Sequence, residues 1–408
     1  MSDSTVAYVP FRSGEIERTV PSTEPQREII SSALLGDQAN IAFNEGISVH
    51  FPYAVDSQKL ESALAEIVRR HESLRTTFTR AGDELCVSAE SGFELTLDDQ
   101  TGLGDDEVER YVQSLWQEYA AAPMHLFDGP LFQATLVRLH NDTAELLIMA
   151  HHDNCDGWSF YIILEDLVAL LTGEQPAQTI DSFAEFAERQ NAEQLSNRDI
   201  DYWLDQYRES VPELDLPADR PRPAERSFAA QRVDYELDAD TVSAVKAMAR
   251  ANKASVVLVV FAGVAALLHR LTEDEDIAIG LPVARQSRDG LHAMVGHAVQ
   301  LLPIRVTAIN SDSFAELIAR AKAGILDAQE HPNFTFGSLV RELGFSGDPS
   351  RVPIVPVIFN IDQPFGDIRA EGHALTIRSI LRLGENFEIF FNVMPQGDML
   401  TIEATHNT

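Results

Sequence analysis

The stretch "LLIMAHHDNCDGWSF", residues 146–160, concentrates the groups of this chain best suited to acid–base chemistry. Five apolar residues run into His151 and His152, and Asp156, Gly157, Trp158 and Ser159 follow. A neutral imidazole accepts a proton near neutral pH, and one carried at the end of a strand is aimed by a rigid element. Adjacent strand residues face opposite sides of a sheet. One histidine can therefore point into a given cleft while the other holds the turn by hydrogen bonds. Asp156 is near enough in sequence to fold back under the imidazoles. Gly157 permits close backbone approach or an unusual φ, and Ser159 can cap a following helix. The same residues also fit a structural role, as two core histidines and a loop aspartate. A metal site is not assigned, because adjacent histidines rarely share an ion and no second cluster has ligand spacing. No phosphate-binding glycine loop, dinucleotide fingerprint, G-x-S-x-G or H-E-x-x-H occurs, and nothing suggests a serine hydrolase, a kinase or a dehydrogenase.

Alternating helices and strands must position these groups. Thr23 and Gln26 form a capping-box pattern that opens a helix. Residues 47–53 read as a strand, and Leu60, Leu64, Ile67 and Val68 fall at helical spacing. "LFQATLVRLH" and "AELLIMA" read as a strand pair joined at "ND", and "SFYIILEDLVALL" as the helix after the histidines. Residues 172–230 read as helices and a proline-rich loop. Beyond it come a helix over 239–252, an apolar helix over 254–270 expected to be buried on all sides, a strand over 276–283 and further alternation. The class is α/β (α+β), with lobes expected at 1–185 and 186–408.

The chain has 408 residues, too many for one ordinary core. Its net charge is −33, from 64 acidic and 31 basic residues. Such a chain repels nucleic acid and anionic membrane. The excess reads as a solvated acidic surface and fits a salt-rich setting; an acidic partner would need a local basic patch. The first residues show no signal peptide, and the longest apolar stretch is too short for a membrane span. Two cysteines, Cys86 and Cys155, make no disulfide framework and fit a reducing cytoplasm.

"HHDNCDGWS" resembles the H-H-x-x-x-D-G-W-S motif of the condensation domains of nonribosomal peptide synthetases, members of the chloramphenicol acetyltransferase superfamily. Other motifs follow in family order: "STEPQREI" (22–29), "RRHESLRTTF" (69–78), "IGLPVARQ" (279–286), "VGHAVQLLPIRV" (295–306), "EHPNFTFGSLVREL" (330–343) and "DPSRVPIVPVIFN" (348–360). "NCDGWS", Gln286 and "GHAVQLLPIR" lean towards the subgroup of hybrid polyketide–peptide assembly lines.

The resemblance implies two acetyltransferase-like lobes in a V-shaped pseudo-dimer with a central tunnel, the N-terminal one carrying the histidine motif. It implies amide formation between a donor acyl thioester and an acceptor amine, each tethered to a carrier protein by phosphopantetheine. The partners are then a donor acyl or peptidyl carrier, an acceptor carrier and neighbouring synthetase domains, with no cofactor bound by the chain itself. His152 matches the family's key histidine, as a base or as an orienting group. Asp156 is expected to orient the motif through a buried arginine, and Gly157 to leave room beside the reacting carbonyl. Trp158 is expected in core packing, Arg70 and Arg75 in tying a helix end to a strand, and Asn360 on the acceptor side. Three departures stand out. Gln286 replaces the arginine that ends the family's G-x-P-V-A-G-R, so Arg285 or Arg75 is expected to pair with Asp156 instead. "DN" replaces apolar residues after the histidines, with Asp153 either close to the imidazoles or in solvent. The chain ends where family members continue, as an excised domain would. Ester formation with an alcohol, or a non-catalytic carrier-docking module, are the alternatives. "DGWS" speaks against an epimerase relative and the intact histidines against a cyclisation relative.

Overall fold

The apolar run at Ala144–His151 lacks polar alternation because both faces of its strand are covered. Every residue in it is buried. Leu146, Ile148 and Ala150 enter one core with helices Ser57–Arg70 and Gly157–Thr172. Leu147 and Met149 enter a second core on the other face, with residues of helix Asp105–Ala121 packed against it. This His strand lies in a computed structural model that describes residues 15–90, 92–193, 195–344, 348–362, 365–396 and 399–408. The polar start at 1–14, read above as lacking a signal peptide, lies outside the described residues.

The His strand pairs antiparallel with Asn44–Phe51 on one side and Phe132–Arg138 on the other. The hairpin to Phe132–Arg138 turns at Asn141 and Asp142, both with left-handed φ (58° and 55°), the conformation a tight twisted hairpin requires. Strand Thr376–Ser379 closes one edge of this five-stranded sheet and Thr96–Asp99 the other. Gly46 sits opposite Met149, where a Cβ would come within 2.2 Å of the Met149 sulfur and 2.9 Å of the Ile148 carbonyl. Only glycine lets the backbone approach there.

The chain divides into two compact units, both discontinuous. The first comprises residues 1–193, 284–298 and 365–383, the second residues 194–283, 299–364 and 384–408. The boundary expected at 185/186 thus falls at 193/194. Two later segments also belong to the first unit, because strand Thr376–Ser379 pairs with Asn44–Phe51 and Ala298 bonds to Asp156. The second unit has a six-stranded sheet in the order Val299–Thr307, Asp276–Ala284, Val357–Ile361, Ile389–Gln396, Met399–Asn407, Ala230–Leu237. Helix Val256–Thr272 packs on it through Phe261, which meets Phe359 edge-on at 5.3 Å. Burial of this helix on all sides is not realised, since Leu267 and Leu271 are exposed. No single helix among the described residues is long and apolar enough to cross a membrane.

Helix Ser57–Arg70 fixes the first core through Leu60, Leu64 and Ile67, all fully buried. Leu64→Ala is expected to cost about 2–5 kcal/mol of stability, read as a lower denaturation midpoint; a loss under about 1 kcal/mol would contradict this packing.

Candidate active site

The His strand ends at His151, and the chain turns through residues 152–156 into helix Gly157–Thr172. Asp156 is the N-cap of that helix. Its Oδ1 accepts from the Ser159 amide at 2.9 Å and the Ser159 hydroxyl at 2.7 Å. The expected cap, Ser159, is instead the third residue of a capping box, its Oγ accepting from the Asp156 amide at 3.3 Å.

Asp156 is fully buried, and no arginine pairs with it among the described residues. Its Oδ2 accepts from the Gln286 side-chain amide at 2.6 Å and the Ala298 backbone amide at 3.2 Å. The expectation that Arg285 or Arg75 would substitute is therefore corrected: Gln286 itself takes the arginine's place, as a neutral donor. Arg285 turns to Asp289 at 3.1 Å and lies over the Phe186 ring. Arg75 ties the end of its short helix to the Ser88 carbonyl and to Glu17. Arg70 reaches Asp166 at 3.3 Å and the Ala177 carbonyl at 2.7 Å. Burial pushes the Asp156 carboxyl above the ordinary aspartate range, and the bonds from Ser159 and Gln286 pull it partly back.

The two histidines divide as strand geometry requires. His151 is wholly buried beside Phe43, with Nδ1 3.3 Å from Asp153 Oδ2. Asp153 is also fully buried rather than in solvent. Neither of its carboxyl oxygens has a well-aligned hydrogen bond among the described residues, and burial pushes this carboxyl up, offset in part by the His151 contact.

His152 keeps 21% of its side chain exposed. Its Nδ1 lies 3.0 Å from the Cys155 carbonyl oxygen. A carbonyl only accepts, so Nδ1 carries the proton and the neutral ring holds its lone pair at Nε2. A third imidazole, that of His297, meets the His152 ring edge-on at 4.6 Å. Burial holds the His297 imidazole well below the ordinary histidine range, with the two neighbouring imidazoles adding to this. Gly296 delivers His297: its φ is +151°, a Cβ there would strike the Phe183 ring at 2.1 Å, and its amide donates to Ser159 Oγ at 3.0 Å.

The turn is fastened from several sides. The Gln26 side-chain amide donates to the Asp153 carbonyl at 3.0 Å. The Asn154 amide group donates to the Ser73 and Thr76 carbonyls at 2.8 and 2.7 Å. These bonds account for Asn154 of the "DN" dipeptide, though not for the Asp153 side chain, and tie "STEPQREI" and "RRHESLRTTF" to the same turn. Gly157 starts the helix without the left-handed φ allowed for it above, and it is exposed. Trp158 packs partly against the core and donates from Nε1 to the His292 carbonyl at 3.2 Å. Asn360 belongs to the second unit, where its amide donates to Asp362 at 3.2 Å and Asn392 at 3.0 Å within a polar row across the sheet. The structure thus gathers His151, His152, Asp156, Gly157, Ser159 and Gln286 at one place. Sequence reasoning missed His297, although it lies inside the quoted "VGHAVQLLPIRV", and Glu45 and Arg382, which no local spacing links to the motif.

The family model described as Condensation domain matches residues 16–408. Surfactin synthase subunit 2 of Bacillus subtilis (strain 168) is 28% identical over 374 residues, covering 90% of this chain and 10% of that protein. Bacitracin synthase 2 of Bacillus licheniformis is 28% identical over 392 residues, covering 95% and 15%. The chain therefore spans only a small part of the length of these relatives. Among solved structures, the condensation domain from Monacolin K polyketide synthase MokA superposes with a TM-score of 0.84 at 19% identity, covering 97% of this chain and 93% of that one. The X-domain from teicoplanin biosynthesis gives 0.82 at 22%, covering 98% and 92%. At these identities the likeness carries the fold.

Two outcomes are expected. Gln286→Ala removes a donor from a buried carboxylate and should cost about 1–3 kcal/mol of stability; an unchanged denaturation midpoint would break the assignment. An aspartate raised by folding favours the folded state most below the ordinary carboxylate pKa of about 4, and that contribution is lost as pH rises through the raised value. Asp153→Asn should therefore be more stable than wild type near neutral pH, with the gain shrinking as the pH falls towards about 4. A gain that grows in acid would show the sign to be wrong.

Proposed function

Because the chain belongs to the condensation-domain family, we propose that it joins a donor acyl group, presented as a thioester, to an acceptor amine. Both are proposed to arrive on phosphopantetheine arms of carrier proteins, with the product left on the acceptor carrier. The observation that carries this reading is the His152 ring. Its Nδ1 is held at the Cys155 carbonyl, which leaves Nε2 as the lone pair of a ring that is partly exposed.

A thioester is already activated, so no covalent enzyme intermediate is required. The amine nitrogen attacks the thioester carbonyl, a C–N bond forms, and the attacking nitrogen gives up a proton to His152 Nε2. The tetrahedral intermediate collapses by breaking the C–S bond. The imidazolium returns its proton to the departing sulfur, leaving a free thiol on the donor arm. Holding two tethered reactants in line can supply an effective molarity of ~10⁵ M or more, so positioning carries much of the rate. Asp156 acts at one remove: it fixes the turn that presents His152 and touches no reacting atom.

The test supplies donor acyl-carrier and acceptor aminoacyl-carrier mimics and follows condensed product by mass spectrometry. Wild type is expected to form the amide, and folded His152→Ala to lose roughly 10²–10⁴-fold in rate. Product only with an alcohol acceptor would change the reading to ester formation. Carrier binding without product from any acceptor would replace it with a docking module.

A further inference from the structure

The Asn44–Phe51 strand places Glu45 against the reactive histidine. Its Oε1 lies 3.4 Å from His152 Nδ1, and its side chain is only 11% exposed. The same carboxylate is engaged by the guanidinium of Arg382, just after strand Thr376–Ser379. Nδ1–H donates to the Cys155 carbonyl, and the Glu45 carboxylate lies beside the same nitrogen at ion-pair distance without a hydrogen bond to it. Other groups crowd the same ring. His297 comes from segment 284–298, and the turn itself contributes His151, Asp153, Cys155 and Asp156. Of these, burial holds the His297 imidazole well below the ordinary histidine range, and Asp153 and Asp156 are wholly buried, with Asp153 close enough to act electrostatically on His152. Glu45 is the partly hydrated carboxylate that reaches His152 directly, and Arg382 is the cation that holds it.

We propose that Glu45 is a positioning residue for His152: gripped by Arg382, its carboxylate supports the Nδ1–H tautomer that the Cys155 carbonyl sets and offsets the positive charge formed when Nε2 takes the acceptor's proton. This rests on the reading of His152 as the group that handles that proton. The physical reason is short-range. An imidazolium 3.4 Å from a carboxylate in a mostly dry site is stabilised far more than one in water. Arg382 works against this, since its charge is shared through the same carboxylate. The pair therefore tunes the ring in opposite senses.

The opposed senses give the test. The full chain is prepared as wild type, Glu45→Gln, Glu45→Asp and Arg382→Gln, with near-ultraviolet circular dichroism to check folding. The imidazole C–H signal of His152 is assigned by its loss in His152→Ala and titrated by NMR. In parallel, kcat/KM against pH is measured with the carrier mimics. Glu45→Gln should move the His152 titration and the acid limb of the rate profile to lower pH, and lower kcat/KM on the order of tenfold near neutrality. Arg382→Gln should move both to higher pH, and Glu45→Asp should restore most of the wild-type position. A His152 titration that stays fixed in both charge-removing variants, or that moves the same way in both, overturns the pairing. Should Glu45→Gln not fold, the Glu45→Asp and Arg382→Gln titrations decide alone. Were no acceptor to give product with wild type, the amide-forming reading would fall, while the NMR titration would still decide whether Glu45 and His152 are coupled.

Discussion

A carboxylate can only accept hydrogen bonds, and Asp156 is one buried away from solvent. That single constraint organises the first unit. The buried group is costly unless donors surround it, and no cation does so among the described residues. The Ser159 amide and hydroxyl, the Gln286 side chain and the Ala298 amide supply the donors, from a helix start and from a segment about 130 residues away. The N-terminal end of helix Gly157–Thr172 adds its favourable dipole. The turn that carries His152 is bounded by the His strand on one side and this saturated cap on the other, so it has little freedom to move.

The chemistry inherits that rigidity. Gln26, Ser73 and Thr76 fasten the backbone of the turn, and the Cys155 carbonyl selects one tautomer of His152. His297 supports the ring from the side without adding a charge. The polar groups that shape the site bond mostly to the backbone of the turn, and so fix where one imidazole nitrogen points.

What could be read in the sequence was local. The Thr23–Gln26 capping box is present, with both reciprocal bonds. The apolar run, the hairpin at Asn141–Asp142 and the division between a buried and a half-exposed histidine all follow from short-range rules. Pairings between distant segments were not legible. Arg285 and Gln286 are adjacent, and spacing does not say which turns inwards; the five-residue helix at 285–289 sends the arginine to Asp289 and the glutamine to Asp156. Glu45 lies ahead of the strand read at 47–53, whose observed start is Asn44, so nothing local marked it. The edge strand Ala230–Leu237 escaped notice because most of its side chains are exposed and show no buried alternate face.

The first unit is interrupted twice by the chain of the second, and this bears on how the protein is made. Segments 284–298 and 365–383 supply Gln286, Ala298, His297, Arg382 and an edge strand to a sheet whose other members lie before residue 152. On a ribosome adding about 5–20 residues per second, the last of these segments emerges on the order of ten seconds or more after residue 193. During that interval the nascent unit holds Asp156 without two of its donors and leaves strand Asn44–Phe51 as an open edge, the kind of surface that invites wrong pairing. Completion of the site is therefore tied to completion of nearly the whole chain, and a product truncated after residue 193 would carry the entire histidine motif without the partners that hold it in place.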